Sequence, residues 1–240
     1  MAKKDYSSEE FKRLVIMGES TVQGGPWLQR QDQRFADVVA RLINECRQNP
    51  VEYFNEGVSA SVISPRSSCY EASAKPSAIE RYQERVIGRN PDLFIFCYGL
   101  NDMRAGTPLE LFCEEMERII AEAKAACDPV TVLTTVYHMT RYDWHAPFDV
   151  GGVEATIRYN AAIADLAARH GCILADVWAA EGLADWLIHP DGVHANAVGN
   201  LLIAHRVFEA LAQNCSCLSA HTRAIDAGGE WTKRVTRQST

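Results

Sequence analysis

The chain has 240 residues, of which 47% are hydrophobic and 23% charged, with a formal net charge of −7 and a pI near 5.5. A chain of this length and composition can bury the core of one α/β domain. The acidic balance disfavours binding to a nucleic-acid backbone, which calls for a basic face. No apolar run is long enough to predict a membrane span, and the first ten residues lack the apolar stretch of a signal peptide, so a cytoplasmic location is expected. The eight cysteines are interpreted as reduced, mostly buried thiols.

Five short apolar runs, rich in β-branched and aromatic residues, predict strands. Such continuous runs are typical of strands that are buried on both faces of a parallel sheet. They cover residues 14–17, 51–55, 93–98, 130–137 and 172–177.

Apolar residues at helical spacing lie between these runs. Helices are predicted over 35–46, 109–123, 157–168 and 197–211, with Thr107 as the N-cap and Pro108 at the first position of the second, and a weaker pattern covers 74–88. Strands that alternate with helices predict a three-layer α/β/α sandwich around a five-stranded parallel sheet. We expect an N-terminal extension over residues 1–12, one domain over 13–218, and a polar, loosely packed tail over 219–240.

Asp191 and His194 lie three residues apart, so their side chains can meet in a tight loop. An Asp that binds one ring nitrogen of a His leaves the other nitrogen free to take a proton from a hydroxyl. The same segment also permits a metal site built from His189, Asp191 and His194. That alternative leaves the polar residues at the strand ends unexplained, so no metal or other cofactor is expected.

In a parallel sheet, functional residues gather in the loops at the carboxyl ends of the strands. Ser20 follows the first predicted strand, Gly57 the second and Asn101 the third. Each could be an ordinary turn residue. Together they could supply a nucleophile, a backbone N–H donor and an amide donor to an oxyanion.

Ser20, Gly57, Asn101 and His194, in this order and at these strand ends, resemble the SGNH hydrolases, also called the GDSL lipase/esterase superfamily. The blocks Gly-Leu-Asn-Asp, ending at Asp102, and Asp-Gly-Val-His, ending at His194, carry most of the resemblance. It implies a flavodoxin-like strand order, with Ser20 as nucleophile, His194 as general base and Asp191 as its orienting partner. It also implies an oxyanion hole from the N–H groups of Ser20 and Gly57 and the Asn101 side chain. The family's first block usually reads Gly-Asp-Ser, where the Asp braces the turn; here Glu19 takes its place.

The predicted substrate is a small soluble carboxylic ester, such as an O-acetylated sugar or a short-chain acyl ester. A long aromatic loop over 138–152 is expected to lie above the site. Thioesterase or acyltransferase activity, and a non-catalytic binding module on the same fold, are the alternatives. Nothing in the sequence predicts a nucleic-acid or membrane partner, or an oligomeric state. The residues predicted to contact the substrate are Trp27, Tyr137, His138, Trp144 and His189.

Overall fold

Five parallel strands form one sheet in the order β2-β1-β3-β4-β5 in the computed structural model, which describes residues 3–143 and 145–228. The α/β fold and the flavodoxin-like strand order predicted from the sequence are thereby confirmed. The strands are β1 (Arg13–Gly18), β2 (Glu52–Gly57), β3 (Leu93–Cys97), β4 (Val130–Thr134) and β5 (Ile173–Ala175).

Helices cover the two faces of the sheet. One layer contains α2 and α9, which pack against each other, and the other contains α4, α6 and α7. The helices are α1 (Ser20–Gln23), α2 (Phe35–Glu45), α3 (Tyr70–Ser73), α4 (Ala78–Arg85), α5 (Leu100–Arg104), α6 (Leu109–Cys127), α7 (Val153–Arg169), α8 (Val177–Glu181), α9 (Ala197–Asn214) and α10 (Cys217–Gly228).

The core is centred on β1 and β3, where Leu14, Ile16, Phe94 and Ile95 are fully buried. Apolar side chains on both faces of these strands meet the two helical layers, which explains their continuous apolar runs. The prediction of burial on both faces is wrong for β2. It lies at the edge of the sheet, and its side chains are half-buried or exposed.

Other local predictions also differ from the structure. The region 74–88 is not one helix, because Ala74 adopts a left-handed conformation (φ 49°) and Pro76 follows before α4 starts. Pro108, not Thr107, is the N-cap of α6. The predicted loose tail is helical over its first part, since α10 extends to Gly228; residues 229–240 lie outside the described part of the chain.

The segment before β1 packs on the end of the chain. The N–H of Tyr6 donates to Asn214 O at 2.8 Å, and the Asp5 carboxylate accepts from the N–H of Ser216 at 2.9 Å. The eight cysteines are free thiols and each is at least half-buried. Among the helices of the described residues, none combines the length and apolarity needed to cross a membrane.

The strand order places the carboxyl ends of β1 and β3 side by side, although β2 lies between them in the sequence. Connections leave these two neighbouring strands in opposite directions, which opens a crevice at this end of the sheet. Gly18 permits the close approach, because a Cβ there would lie 2.6 Å from the Cys97 carbonyl oxygen. The loops that follow β1 and β3 carry Ser20 and Asn101.

Candidate active site

Ser20 lies at the first position of α1, and only Glu19 separates it from the end of β1. The N–H groups at the start of a helix have no partner within the helix, so the N–H of Ser20 is available to a ligand. Its side chain is largely buried, and its Oγ lies 3.0 Å from His194 Nε2. The chain therefore presents a serine hydroxyl directly to an imidazole nitrogen.

His194 connects Ser20 to Asp191. Its Nδ1 lies 2.8 Å from Asp191 Oδ2, and Asp191 Oδ1 accepts the backbone N–H groups of Val193 and His194, both at 2.9 Å. Burial raises the pKa of the Asp191 carboxyl, but the hydrogen bond from His194 and the two N–H donors outweigh it and hold that pKa well below its usual range. A carboxylate at Nδ1 favours the tautomer whose Nε2 accepts a proton. The structure thus brings together the three residues that the sequence placed in a catalytic triad.

Glu19 braces the turn on the other side of Ser20. It is 2% exposed, and its Oε1 accepts the N–H groups of Gly99 at 3.2 Å and Asn101 at 3.1 Å. Burial first, and then the neighbouring Asp102 carboxylate, raise the pKa of Glu19 well above its usual range. The Glu19 side chain, which is longer than that of the family's usual Asp, thus reaches across the crevice and joins the loop after β1 to the loop after β3.

Asn101 follows β3 through Gly99, whose φ of 126° suits only a glycine. Its side chain is 4% exposed, and Nδ2 donates to Ser61 O at 2.9 Å. An amide nitrogen carries two hydrogens, so the other one is available to an oxyanion. Asp102 fixes the same loop by accepting from Ile63 N at 2.8 Å and the Ser67 hydroxyl at 2.7 Å, and burial raises its pKa to about 6.

Gly57 does not fit the role of oxyanion donor that the sequence predicted. Its N–H donates to Asn55 Oδ1 at 3.0 Å, so this donor is already occupied. Its Cα faces the backbone of α1, where a Cβ would lie 2.2 Å from Gln23 N. The glycine is needed for this close packing of α1 on β2.

Ala60 is the residue of this loop that sequence analysis missed. The N–H groups of Val58, Ser59 and Ser61 all have acceptors, whereas the described residues offer none to the N–H of Ala60. Ser59 donates to the Gln23 side chain at the end of α1, and Ser61 O accepts from Asn101. Ala60 therefore lies between an anchor on α1 and an anchor on Asn101. Its φ of 59° is uncommon for a residue with a Cβ, and an alanine in the sequence gives no sign that its backbone will adopt this conformation.

Trp27 is stacked on His194. The two ring centroids are 3.6 Å apart and the ring planes differ by 6°. The sequence predicted that this indole contacts the substrate, but in the structure one face of it is covered by the imidazole.

His189 also reaches the Asp191 carboxylate but not Ser20. Its Nδ1 lies 3.1 Å from Asp191 Oδ2 and 3.2 Å from the Asp191 N–H. The imidazole at the serine hydroxyl is therefore that of His194 and not that of His189. Among the described residues, no group of three or more His, Cys, Asp or Glu side chains is arranged to hold a metal ion.

The remaining predicted substrate contacts lie on the loop after β4. The Tyr137 hydroxyl is 3.2 Å from Oγ1 of Thr21, the residue after Ser20, and His138 Nε2 is 2.7 Å from Asp185 Oδ1. Both side chains are buried, and their contact with substrate stays a prediction. Trp144 lies outside the described residues. The loop does reach the site, because the N–H groups of residues 140 and 141 donate to Gly192 O at 2.9 and 3.0 Å.

The chain matches a known protein family. The sequence profile of the GDSL-like lipase/acylhydrolase family matches residues 16–202. No curated protein sequence matches the chain significantly.

Solved structures share the fold. A lipase/acylhydrolase from Enterococcus faecalis superposes with a TM-score of 0.66 at 18% identity, over 84% of this chain and 96% of that one. Axe2, an acetylxylan esterase from Geobacillus stearothermophilus, superposes with a TM-score of 0.63 at 16% identity, over 85% of this chain and 96% of that one.

Proposed function

The chain belongs to the GDSL-like lipase/acylhydrolase family, and we propose that it is a serine esterase that cleaves a small carboxylic ester. The observation that carries the proposal is the line of contacts from Ser20 Oγ to His194 Nε2 at 3.0 Å and from His194 Nδ1 to Asp191 Oδ2 at 2.8 Å. These are the distances at which a base can take a proton from a hydroxyl while a carboxylate orients that base.

In the proposed reaction, Ser20 Oγ attacks the ester carbonyl carbon and its proton passes to His194 Nε2. Asp191 stabilises the resulting imidazolium. His194 then returns the proton to the leaving alcohol oxygen as the carbon–oxygen bond breaks, which leaves an acyl group on Ser20. Water, deprotonated by His194, attacks this acyl-enzyme and releases the carboxylic acid and the free serine hydroxyl.

The carbonyl oxygen becomes negatively charged in both tetrahedral intermediates. We assign three donors to it: the N–H of Ser20 at the start of α1, the N–H of Ala60 and the second hydrogen of Asn101 Nδ2. The first is a helix-terminal donor, the second has no acceptor among the described residues, and the third is fixed by the bond to Ser61 O. Donors already in place cost no reorganisation when the charge develops.

An acetyl ester of a sugar, or another short-chain acyl ester, is the proposed substrate class. Its support is the similarity to an acetylxylan esterase in fold. This choice is tested by comparing p-nitrophenyl esters of increasing acyl length with acetylated xylo-oligosaccharides and acetyl thioesters. A preference for the thioesters would reassign the protein to the thioesterases.

The serine mechanism is tested with Ser20→Ala. This variant should lose hydrolysis of p-nitrophenyl acetate while its circular dichroism spectrum stays that of the wild type. A fluorophosphonate should label the wild type at Ser20 and leave Ser20→Ala unlabelled. Full activity in the variant would refute the mechanism, and a wild type that neither hydrolyses esters nor reacts with the probe would be a binding module.

A further inference from the structure

The Trp27 ring contacts His194 from outside the line of hydrogen bonds between Ser20 and Asp191. His194 is fixed in its ring plane at two points, by Asp191 at Nδ1 and by Ser20 at Nε2. Two in-plane hydrogen bonds leave the ring free to tilt about the line that joins them. The parallel indole, 3.6 Å from the imidazole, restrains this tilt.

The chain turns back from the nucleophile to place this indole. Gly24, with a φ of 75°, ends α1 and donates its N–H to Ser20 O at 2.8 Å. The N–H of Leu28 then closes a turn on Gly25 O at 3.1 Å. The helix that carries the nucleophile therefore also fixes the position of the residue that covers the base.

Gly25 leaves the space that the indole occupies. A Cβ on Gly25 would lie 2.2 and 2.3 Å from two carbons of the six-membered ring of Trp27, closer than non-bonded atoms can approach. The ring is thus held between the Gly25 backbone and the His194 imidazole. The φ of Gly25 lies outside the left-handed region, and the three atoms nearest to an added Cβ all belong to the indole, so an alanine at this position acts first on Trp27.

We propose that Trp27 is a positioning residue for His194, an inference that rests on the proposed function. Its indole keeps the imidazole aligned with the Ser20 hydroxyl. It also attracts the positive charge that appears on the ring when the serine proton arrives, since the face of an indole is electron-rich. Both effects are stronger in the transition state than in the ground state, so they act on kcat and leave substrate binding unchanged.

Trp27→Leu tests this proposal against a substrate-binding role. We expect kcat to fall about 2- to 30-fold, the range of a cation–π contact, with KM unchanged and Trp27→Phe partly restoring the rate. The rate of labelling by a small fluorophosphonate should fall by the same factor. Trp186→Leu is the matched control, because Trp186 is 80% exposed and should keep wild-type kinetics. A raised KM with wild-type kcat would overturn the proposal in favour of substrate contact.

Gly25→Ala perturbs the contact between Trp27 and His194 while Trp27 itself is kept. We expect the kcat defect of Trp27→Leu, and the double variant should be no worse than either single one, because both remove one interaction. Gly88→Ala is the control, since its new Cβ would meet nothing closer than 3.5 Å. Additive losses of kcat from the two substitutions would contradict the proposal that Gly25 and Trp27 act on His194 through one contact.

The His194 ring protons supply a readout that does not depend on turnover. A proton above an indole face resonates upfield, so Trp27→Leu and Gly25→Ala should both move the His194 signal downfield while Gly88→Ala leaves it in place. An unmoved signal in both variants, or wild-type kcat and KM in both while Ser20→Ala is inactive, would reject the positioning role and keep the esterase. Activity of Ser20→Ala would instead reject the esterase mechanism itself.

Discussion

Replacing Glu19 with alanine tests how strongly one buried side chain holds the two loops of the site together. Its Oε1 accepts the N–H groups of Gly99 at 3.2 Å and Asn101 at 3.1 Å, and the residue is 2% exposed. Alanine leaves both N–H groups buried without an acceptor, at a cost of about 1–3 kcal/mol each. The free energy of unfolding should therefore fall by about 2–6 kcal/mol, a large part of the 5–15 kcal/mol typical of a domain. Because Asn101 loses its backbone anchor, kcat should fall as well.

Two conservative variants separate the hydrogen bonds from the charge. Glu19→Gln keeps the accepting oxygen and removes the like-charge contact with Asp102, so it should be at least as stable as the wild type. Burial raises the pKa of Glu19, so the folded state releases this proton less readily than the unfolded state. The stability of the wild type should then fall as pH rises through that raised pKa, and the advantage of Glu19→Gln should grow with pH.

Glu19→Asp restores the residue that the family usually has, yet we expect it to be worse than glutamine. The side chain becomes shorter by about 1.5 Å, which takes its accepting oxygen out of hydrogen-bonding range of the two N–H donors, now at 3.1 and 3.2 Å, unless the loops move. Urea unfolding at pH 7 and p-nitrophenyl acetate hydrolysis measure both effects. Glu84→Ala, at a side chain 79% exposed, is the control. If Glu19→Ala unfolded within about 0.5 kcal/mol of the wild type, the range of ordinary surface substitutions, the reasoning would be refuted.

Four further substitutions test other parts of the site and its surroundings. Asp191→Asn should lower kcat by about 10⁴-fold, because an amide at His194 Nδ1 favours the wrong tautomer. Steady-state kinetics measure this loss, and a much smaller one would contradict the role of Asp191. Asn101→Ala should lower kcat by about 10²–10³-fold if its amide serves the oxyanion. Ala60→Gly keeps the N–H and relieves a φ of 59°, so it should add about 1–2 kcal/mol to the free energy of unfolding with kcat retained. Burial raises the pKa of Glu181 from 4.5 to about 8, so this residue should lower wild-type stability between these pH values by on the order of 3–5 kcal/mol, and the decline in thermal melts of Glu181→Gln should be smaller by that amount.

Local patterns were enough to predict a parallel sheet and the contact between Asp191 and His194. Each inner strand has an apolar run because helices cover both its faces, and Asp191 and His194 meet because a three-residue spacing closes one small loop. The same reasoning failed where neighbours outside the local sequence decide the outcome. The edge position of β2 is one case, because it depends on which strands pair. The break at Ala74 is another, because residue type alone does not predict a left-handed alanine.

The sequence predicted Gly57 as an oxyanion donor because of its residue type, whereas the structure favours Ala60 for this role. Gly57 attracts attention because a glycine at a strand end commonly frees a backbone N–H for a ligand, but here the missing side chain makes room for α1. Ala60, three residues later, has the N–H without an acceptor and a backbone conformation that glycine would adopt more readily. An alanine held in that conformation is strained, and such strain persists only where surrounding contacts fix the backbone. The bonds from Ser59 to Gln23 and from Asn101 to Ser61 supply those contacts, so the turn that carries the proposed donor is anchored to α1 and to the amide that we assign to the same oxyanion.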